Sequence, residues 1–297
     1  MSWRTVVVSK KSKASYKDGY MIVKNESEAI IHLSEISTVI FESTAINITS
    51  YLLCELISFK IKVIFCDHKR NPYGEIIPYY GRYNVSKRIA RQIGWPKTIK
   101  QQMWAKIVRQ KILNQATVLR KKGFVAECEM LKRYAGEIVG ADETNREGHA
   151  AKVYFNALFG KKFTRPGDNL VNGALDYGYS ILLSNFNREI ANLGYLTTLG
   201  INHSNEFNQF NLTSDLMEVF RPIIDEFVFE NRHLALNSDY KISLIDLMNK
   251  KVEYDGQNQF VSSTISLYAK SFFKAIENEN PEEFIVFKMR REQDLCE

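Results

Sequence analysis

The sequence predicts an α+β protein, with a small β-rich N-terminal domain holding one embedded helix and a larger all-α domain after it. Three observations carry this. Short β-branched runs separated by polar or glycine-containing turns fill the first eighty residues. A stretch rich in proline and glycine, residues 71–81, interrupts them. Beyond it, apolar residues recur at three- and four-residue spacing. A chain of 297 residues is long enough for two cores, and the spacing predicts a boundary near Tyr80, dividing 1–80 from 81–297.

In chain order, residues 4–9, 19–24, 28–33, 36–41 and 61–66 read as strands. Ile48, Leu52, Leu56 and Phe59 fall at helical spacing, so 46–59 reads as the embedded helix. Nothing in this domain looks catalytic; His32 lies within a strand and His68 in a charged turn, and making a dimer contact is the role expected of the domain. Pro96 at a first helical position opens a long helix carrying Ile99, Met103, Ile107, Val108, Ile112 and Leu119, and Gly123 closes it. Further helices are predicted at 124–137, 145–159, 169–193, 213–230, 240–250 and 262–277. From Pro281 the chain reads as a short strand or a tail ordered on contact.

With 45% hydrophobic and 25% charged residues, the composition is that of a soluble globular protein. No run approaches the roughly 18 apolar residues of a membrane span, and the N-terminal apolar run is too short for a signal peptide. Cys54, Cys66, Cys128 and Cys296 lack C-x-x-C spacing. That argues against structural zinc and fits a reduced, cytoplasmic protein in which the cysteines are core fillers plus one tail residue. The net charge is +6, yet residues 82–133 alone hold fourteen Lys and Arg against Glu127 and Glu129, a local +12. On one helix such residues are usually a solvated face. Across fifty residues, with Tyr83, Trp95 and Trp104 interleaved, they predict a nucleic-acid surface, with Arg82, Lys121 and Lys122 as candidate contacts.

Chemistry concentrates in the stretch from His203 to Asp225. As far as Asn211 it reads as a loop, and from Thr213 as a helix with Leu216, Val219, Phe220 and Ile223 on one face and Asp215 and Glu218 on another. A loop imidazole with a helix carboxylate is a mixed donor set for a divalent cation, which needs a third ligand. Glu147 shares a helix face with Ala150, Ala151 and Tyr154, in a first turn whose positive end favours the ionised carboxyl. Plainer roles stay open at this point. Thr144 with Glu147, and Asp215 with Glu218, fit helix capping. Arg221 and Asp225 can form a surface pair, His203 can be an ordinary loop histidine, and His149 rivals Glu147 as a ligand.

Four motifs in order carry a resemblance: E-G-x-A-A from Glu147 to Ala151, N-x-A-L-x-x-x-Y from Asn172 to Tyr179, G-I-N-H from Gly200 to His203, and D-L-M-E-x-F-R-P-x-x-D from Asp215 to Asp225. Together with the two-domain pattern, they resemble the CRISPR-associated spacer-integrase family, the larger and catalytic of the two universal adaptation proteins. N-R-E-G-H-A-A, L-D-Y-G-Y and F-N-Q-F-N are similar to its type II branch. The resemblance implies that Glu147, His203 and Glu218 ligate Mg²⁺ or Mn²⁺, that Asp215 is an auxiliary acid, and that Arg221 is structural or phosphate-facing. Many relatives have Asp at the third position; glutamate here reaches about one bond further. It also implies a homodimer through the β domains, two such dimers flanking a dimer of a small ferredoxin-like CRISPR-associated partner, with other proteins of the same locus as further partners and no membrane.

The implied reaction is transesterification, in which the 3′-hydroxyl of a short double-stranded DNA fragment attacks the edge of a CRISPR repeat. It needs no nucleotide hydrolysis, in keeping with the lack of a G-x-x-x-x-G-K-[ST] loop. The alternatives are a metal-dependent nuclease acting on branched or single-stranded DNA, and a non-catalytic DNA-binding scaffold.

Overall fold

The structure, a computed structural model, describes residues 4–76, 84–165, 167 and 169–290. Two compact units emerge, Met1–Gly81 and Arg82–Glu297. The expected α+β class is what the chain adopts. In the first unit, β1 (Arg4–Val8), β2 (Ser12–Lys17), β3 (Tyr20–Lys24), β4 (Glu28–His32), β5 (Ile36–Phe41), β6 (Ile46–Ile48), α1 (Ser50–Ser58), β7 (Lys62–Cys66) and β8 (Pro72–Glu75) follow in order.

They build two four-stranded sheets, β1-β5-β7-β8 and β4-β3-β2-β6. In the first sheet β1, β5 and β7 run parallel and β8 returns antiparallel. In the second, β2, β3 and β4 form an antiparallel meander and β6 joins β2 in parallel. Side-chain alternation turns Met21 and Val23 inward, where they share one core with Val39, Phe41 and Val63 of the other sheet and with Leu52 and Leu56 of α1.

Three short strands depart from the sequence reading. β2 (S-K-A-S-Y-K) is too polar to stand out, although Ser12 and Ala14 alternate inward. The region read as helix from 46 splits at Thr49, whose hydroxyl accepts from Leu52 N at 3.3 Å and starts α1 there. Ile46 and Ile48 are strand residues whose spacing mimics a helix. β8 opens on Pro72, tolerated at the start of an edge strand where no ladder N–H is needed.

The second unit contains α2 (Val85–Ile93), α3 (Lys97–Lys121), α4 (Val125–Gly136), α5 (Arg146–Phe159), α6 (Leu170–Asn192), α7 (Asn211–Met217), a 3₁₀ turn at Glu218–Phe220, α8 (Arg221–Glu230), α9 (Ser238–Asp246), the hairpin β9 (Lys251–Tyr254) and β10 (Gln257–Phe260), and α10 (Val261–Glu277). α3 is the axis. Its buried face, including Ile107, Val108, Ile112 and Leu119, packs on α4, α5, α8 and α10. Phe186, Phe220, Tyr268 and Phe287 form an aromatic cluster beside it, with Phe220 and Phe287 stacked 4.4 Å apart.

The helix expected over 213–230 breaks, because Pro222 has no N–H to give the Glu218 carbonyl and the backbone tightens there. The β9–β10 hairpin was not anticipated, although Asp255-Gly256, with φ of 52° and 73°, is a two-residue hairpin turn. After α10, residues 284–290 form no strand. Phe284 and Phe287 are buried, and Met289 N donates to Asn114 Oδ1 of α3 at 3.1 Å. Cys66 and Cys128 are buried as expected but Cys54 is exposed, and Cys296 lies outside the described residues. Among the described residues no helix is long and apolar enough to cross a membrane.

Candidate active site

Glu147 is released from capping by its neighbours. Asn145, in a left-handed conformation with φ 52°, accepts from Gly148 N at 3.2 Å. Asp142 accepts from the amides of Arg146 and Glu147 at 2.8 and 2.9 Å. These contacts satisfy the helix start, so the Thr144 capping box does not form. The Glu147 carboxylate instead accepts a hydrogen bond from Lys111 Nζ at 2.5 Å. His149 is exposed with its ring toward Tyr134, and is no rival ligand here.

The same ammonium stands 2.5 Å from Glu218 Oε2. Arg221 contacts the other oxygen of Glu218 at 3.1 Å. Glu218 thus pairs with two cations while only 3% exposed, and caps nothing. Nor do Arg221 and Asp225 form a surface pair. Asp225 is buried and accepts from the Tyr179 hydroxyl, while the Arg221 guanidinium lies 4.7 Å over the Tyr179 ring. Arg165 approaches the same ring at 5.2 Å and is held by Asn172 Oδ1 at 2.7 Å. Asn172 also donates to the carbonyls of Thr164 and Gly167. The N-x-A-L-x-x-x-Y motif therefore braces Arg221 and, through it, Glu218. Gly178 within it lets α6 meet α8: a Cβ there would lie 2.4 Å from Ile224 Cγ2.

His203 is fixed by Asp215, which caps no helix either. The turn from Gly200 wraps this carboxylate. Oδ2 accepts from Ile201 N at 2.7 Å and Asn202 N at 3.1 Å, and Oδ1 from His203 N at 3.1 Å and His203 Nδ1 at 2.6 Å. A Cβ on Gly200 would lie 2.3 Å from His203 O and 2.7 Å from Asp215 Oδ2, which explains the glycine. The carboxylate fixes the proton on Nδ1, leaving Nε2 free for a ligand or a proton. The ring meets the edge of Trp104 with centroids 5.7 Å apart, and borders a cavity of about 410 Å³ also lined by Gln92, Lys100, Asn205 and Asn211.

Charge reinforces this geometry. Burial pushes Glu218 up, but Arg221 and Lys111 outweigh it and hold the carboxyl below its ordinary range. Burial pushes Lys111 down, yet Glu218 and Glu147 reverse that and keep the amine above its usual value. The hydrogen bond to Asp215 raises the His203 imidazole against burial, helped by the charges of Glu218 and Glu147. Burial pushes Asp225 up to about 6, against its hydrogen bond from Tyr179.

Two carboxylates, from Glu147 and Glu218, and one oriented imidazole are the residue types that a hard divalent cation takes. Among the described residues, however, no three His, Cys, Asp or Glu side chains converge as a closed metal cluster. Lys111 occupies the gap between two of the three. Sequence reasoning missed it, although a lysine seven residues after Trp104, amid Ile107, Val108 and Ile112, lies on the buried stripe of α3 and there calls for acidic partners.

The basic stretch is only partly free. Lys121 pairs with Glu226 at 3.2 Å, and Lys122 with Glu230 at 2.5 Å. Trp95 and Trp104 are buried, so they offer no stacking surface. Arg82 and Tyr83 lie outside the described residues. Lys100 lines the same cavity as His203.

Comparison with known proteins follows the same lines. The family model described as CRISPR associated protein Cas1 matches residues 5–248. The CRISPR-associated endonuclease Cas1 of Neisseria meningitidis serogroup C (strain 8013) is 32% identical over 286 residues, 94% of each chain. A casposase bound to an integration product has a TM-score of 0.76 at 16% identity, over 94% of this chain and 92% of that one. A chain of a Cas6-RT-Cas1–Cas2 complex gives 0.74 at 20% identity, over 97% of this chain and 36% of that longer one. At these identities the two structures speak to fold alone.

Proposed function

We propose, from the premise that this chain belongs to the Cas1 family of CRISPR-associated proteins, that it is a metal-dependent DNA integrase. The carrying observation is the meeting of Glu147 and Glu218 on one ammonium, near a histidine locked by Asp215. In the proposed reaction the 3′-oxygen of a short DNA duplex forms a bond to a phosphorus at the edge of a repeat. The existing P–O bond breaks and its oxygen leaves as a new 3′-hydroxyl, so one phosphodiester replaces another and no energy source is needed.

Glu147, Glu218 and His203 Nε2 would hold Mg²⁺ or Mn²⁺, which when bound lowers the pKa of the attacking hydroxyl and neutralises the phosphate. Asp215 holds the imidazole in one tautomer, so that Nε2 can either ligate or serve the leaving oxygen. Arg221, stacked on Tyr179, keeps Glu218 ionised and in place. Lys100 is positioned to take a phosphate of the incoming strand. Partners expected on the same reading are double-stranded DNA, a second copy of this chain, and a small Cas2-like protein. The complex with Cas2 named for a structural neighbour supports the last of these. Exposed Tyr51 and Tyr73 on the first unit are consistent with a self-association surface there.

Strand transfer tests this. The chain and its partner are given a short duplex with free 3′-hydroxyls and a repeat-bearing plasmid, with Mn²⁺ or EDTA. Joined product is expected only with metal, and is lost in Glu147→Ala, His203→Ala and Glu218→Ala. Metal-dependent cutting without joining favours hydrolysis at the same site, in keeping with the name endonuclease carried by the Neisseria relative. DNA binding with no product under any metal overturns both.

A further inference from the structure

Neither the sequence motifs nor the family assignment accounts for Lys111. Its ammonium is 2.5 Å from Glu147 Oε1 and 2.5 Å from Glu218 Oε2, so these oxygens, from α5 and from the turn before α8, lie within twice that distance of each other. Carboxylates so close repel one another unless a cation stands between them. The stem of Lys111 is rooted among Ile107, Val108 and Ile112 on α3, which leaves a flexible four-carbon reach to carry the charge. One of the two target oxygens, Glu218 Oε2, is buried and makes an ion contact without a hydrogen bond. A divalent cation would compete with the ammonium for this oxygen.

We propose that Lys111 is a charge placeholder for the divalent cation: it holds the Glu147 and Glu218 carboxylates together in the metal-free protein and yields the space between them when the cation binds. This rests on the reading of those two residues as metal ligands. A divalent ion contacting both oxygens leaves no position for Nζ, and its double charge repels the ammonium it replaces. With a neutral imidazole, Glu147, Glu218 and Asp215 are balanced by Lys111, Arg221 and the nearby Lys100, so the metal-free site has no net charge to draw a phosphodiester. A divalent cation would give it two positive charges in excess and strengthen its hold on a phosphate.

The test uses the full chain: Mn²⁺ binding by electron paramagnetic resonance, and thermal unfolding with and without Mn²⁺. Lys111→Met keeps the stem and removes the charge; Lys100→Met removes a nearby charge that touches neither carboxylate. Lys111→Met is expected to melt several degrees lower without metal, to bind Mn²⁺ about tenfold more tightly, and to gain more from adding it. Lys100→Met is expected to change Mn²⁺ affinity by less than about twofold, since solvent screens a charge that pairs with neither carboxylate. Unchanged or weaker Mn²⁺ binding in Lys111→Met overturns the placeholder and leaves the metal site standing. No Mn²⁺ binding in any protein, the unmutated one included, overturns both. Should Lys111→Met not fold, Lys111→Arg substitutes. Its bulkier cation should keep the metal-free melting temperature and weaken Mn²⁺ binding by about threefold or more, and equal binding overturns the proposal.

Discussion

Glu147 and Glu218 bring the same carboxylate to the same ammonium from opposite surroundings. Glu147 stands in the first turn of α5, its side chain 26% exposed, with its backbone satisfied by Asp142 and Asn145 and with Lys111 as its cation. Glu218 stands in a proline-induced break, its side chain 5% exposed, between Lys111 and Arg221. Behind Arg221 are Tyr179, Asp225, Arg165 and Asn172, a brace with no counterpart at Glu147 among the described residues. One carboxylate is held by a helix end that needs little support, the other by a buried polar network in which each member depends on the next. Two carboxylates on one ammonium can thus carry unequal structural burdens.

The comparison breaks most readily at the carboxylates themselves. Glu147→Gln and Glu218→Gln should each lower strand transfer by a factor on the order of 10² or more. In urea unfolding, Glu218→Gln should cost about 2–3 kcal/mol, because it removes a buried carboxylate that pairs with both Lys111 and Arg221, whereas Glu147→Gln should cost about 1 kcal/mol or less. Equal stability losses would end the distinction.

Asp225→Asn probes the brace. The folded carboxyl is raised from 3.8 to about 6, so its protonated form favours the fold. The contribution is present below pH 3.8 and is lost as pH rises through about 6. Relative to the parent, the variant should therefore gain up to about 3 kcal/mol between those limits in pH-dependent unfolding. An unchanged difference across that window would place the raised acid elsewhere.

Asp215→Asn should cost about 1–2 kcal/mol by losing acceptor capacity toward the turn. It should also let His203 fall toward its ordinary value, so the acid limb of strand transfer moves to lower pH. Because a raised histidine stabilises below its unfolded value and ceases to as pH rises through the folded one, the stability gap between parent and variant should narrow with pH. The smallest effects belong to the paired lysines. Lys121→Glu and Lys122→Glu should each cost about 1 kcal/mol through lost pairing with Glu226 and Glu230. They should leave the salt dependence of DNA binding nearly unchanged, whereas Lys100→Ala should flatten it by about one phosphate contact.

The helical unit was legible because its long helices are strongly periodic; α3 begins and ends where Pro96 and Gly123 indicate. His203, Asp215 and Glu218 were legible as a group because one short stretch holds all three, and the order of the four motifs supplied Glu147. Lys111 was not, because periodicity counts lysine as a solvent residue, while its partners lie 36 and 107 positions further along the chain. Asp142 was overlooked for a related reason: it replaces a predicted capping box with two side chain–backbone bonds from outside the helix. Trp95 and Trp104 illustrate the opposite error, since aromatic residues among lysines suggested a surface and the fold uses them as core. The short strands β2, β6 and β8 were hidden by polar composition, by false helical spacing and by proline.

The turn from Gly200 to His203 folds around a single carboxylate that takes three consecutive backbone amides and one ring nitrogen. Such an arrangement has no half-open state of low energy, for releasing one amide weakens the hold on the other two. In amide exchange, Ile201, Asn202 and His203 should therefore open as one unit with a common protection factor. The imidazole inherits that all-or-none character: any one molecule carries it either aligned or adrift, so warming would thin the number of competent molecules before it slowed those that remain.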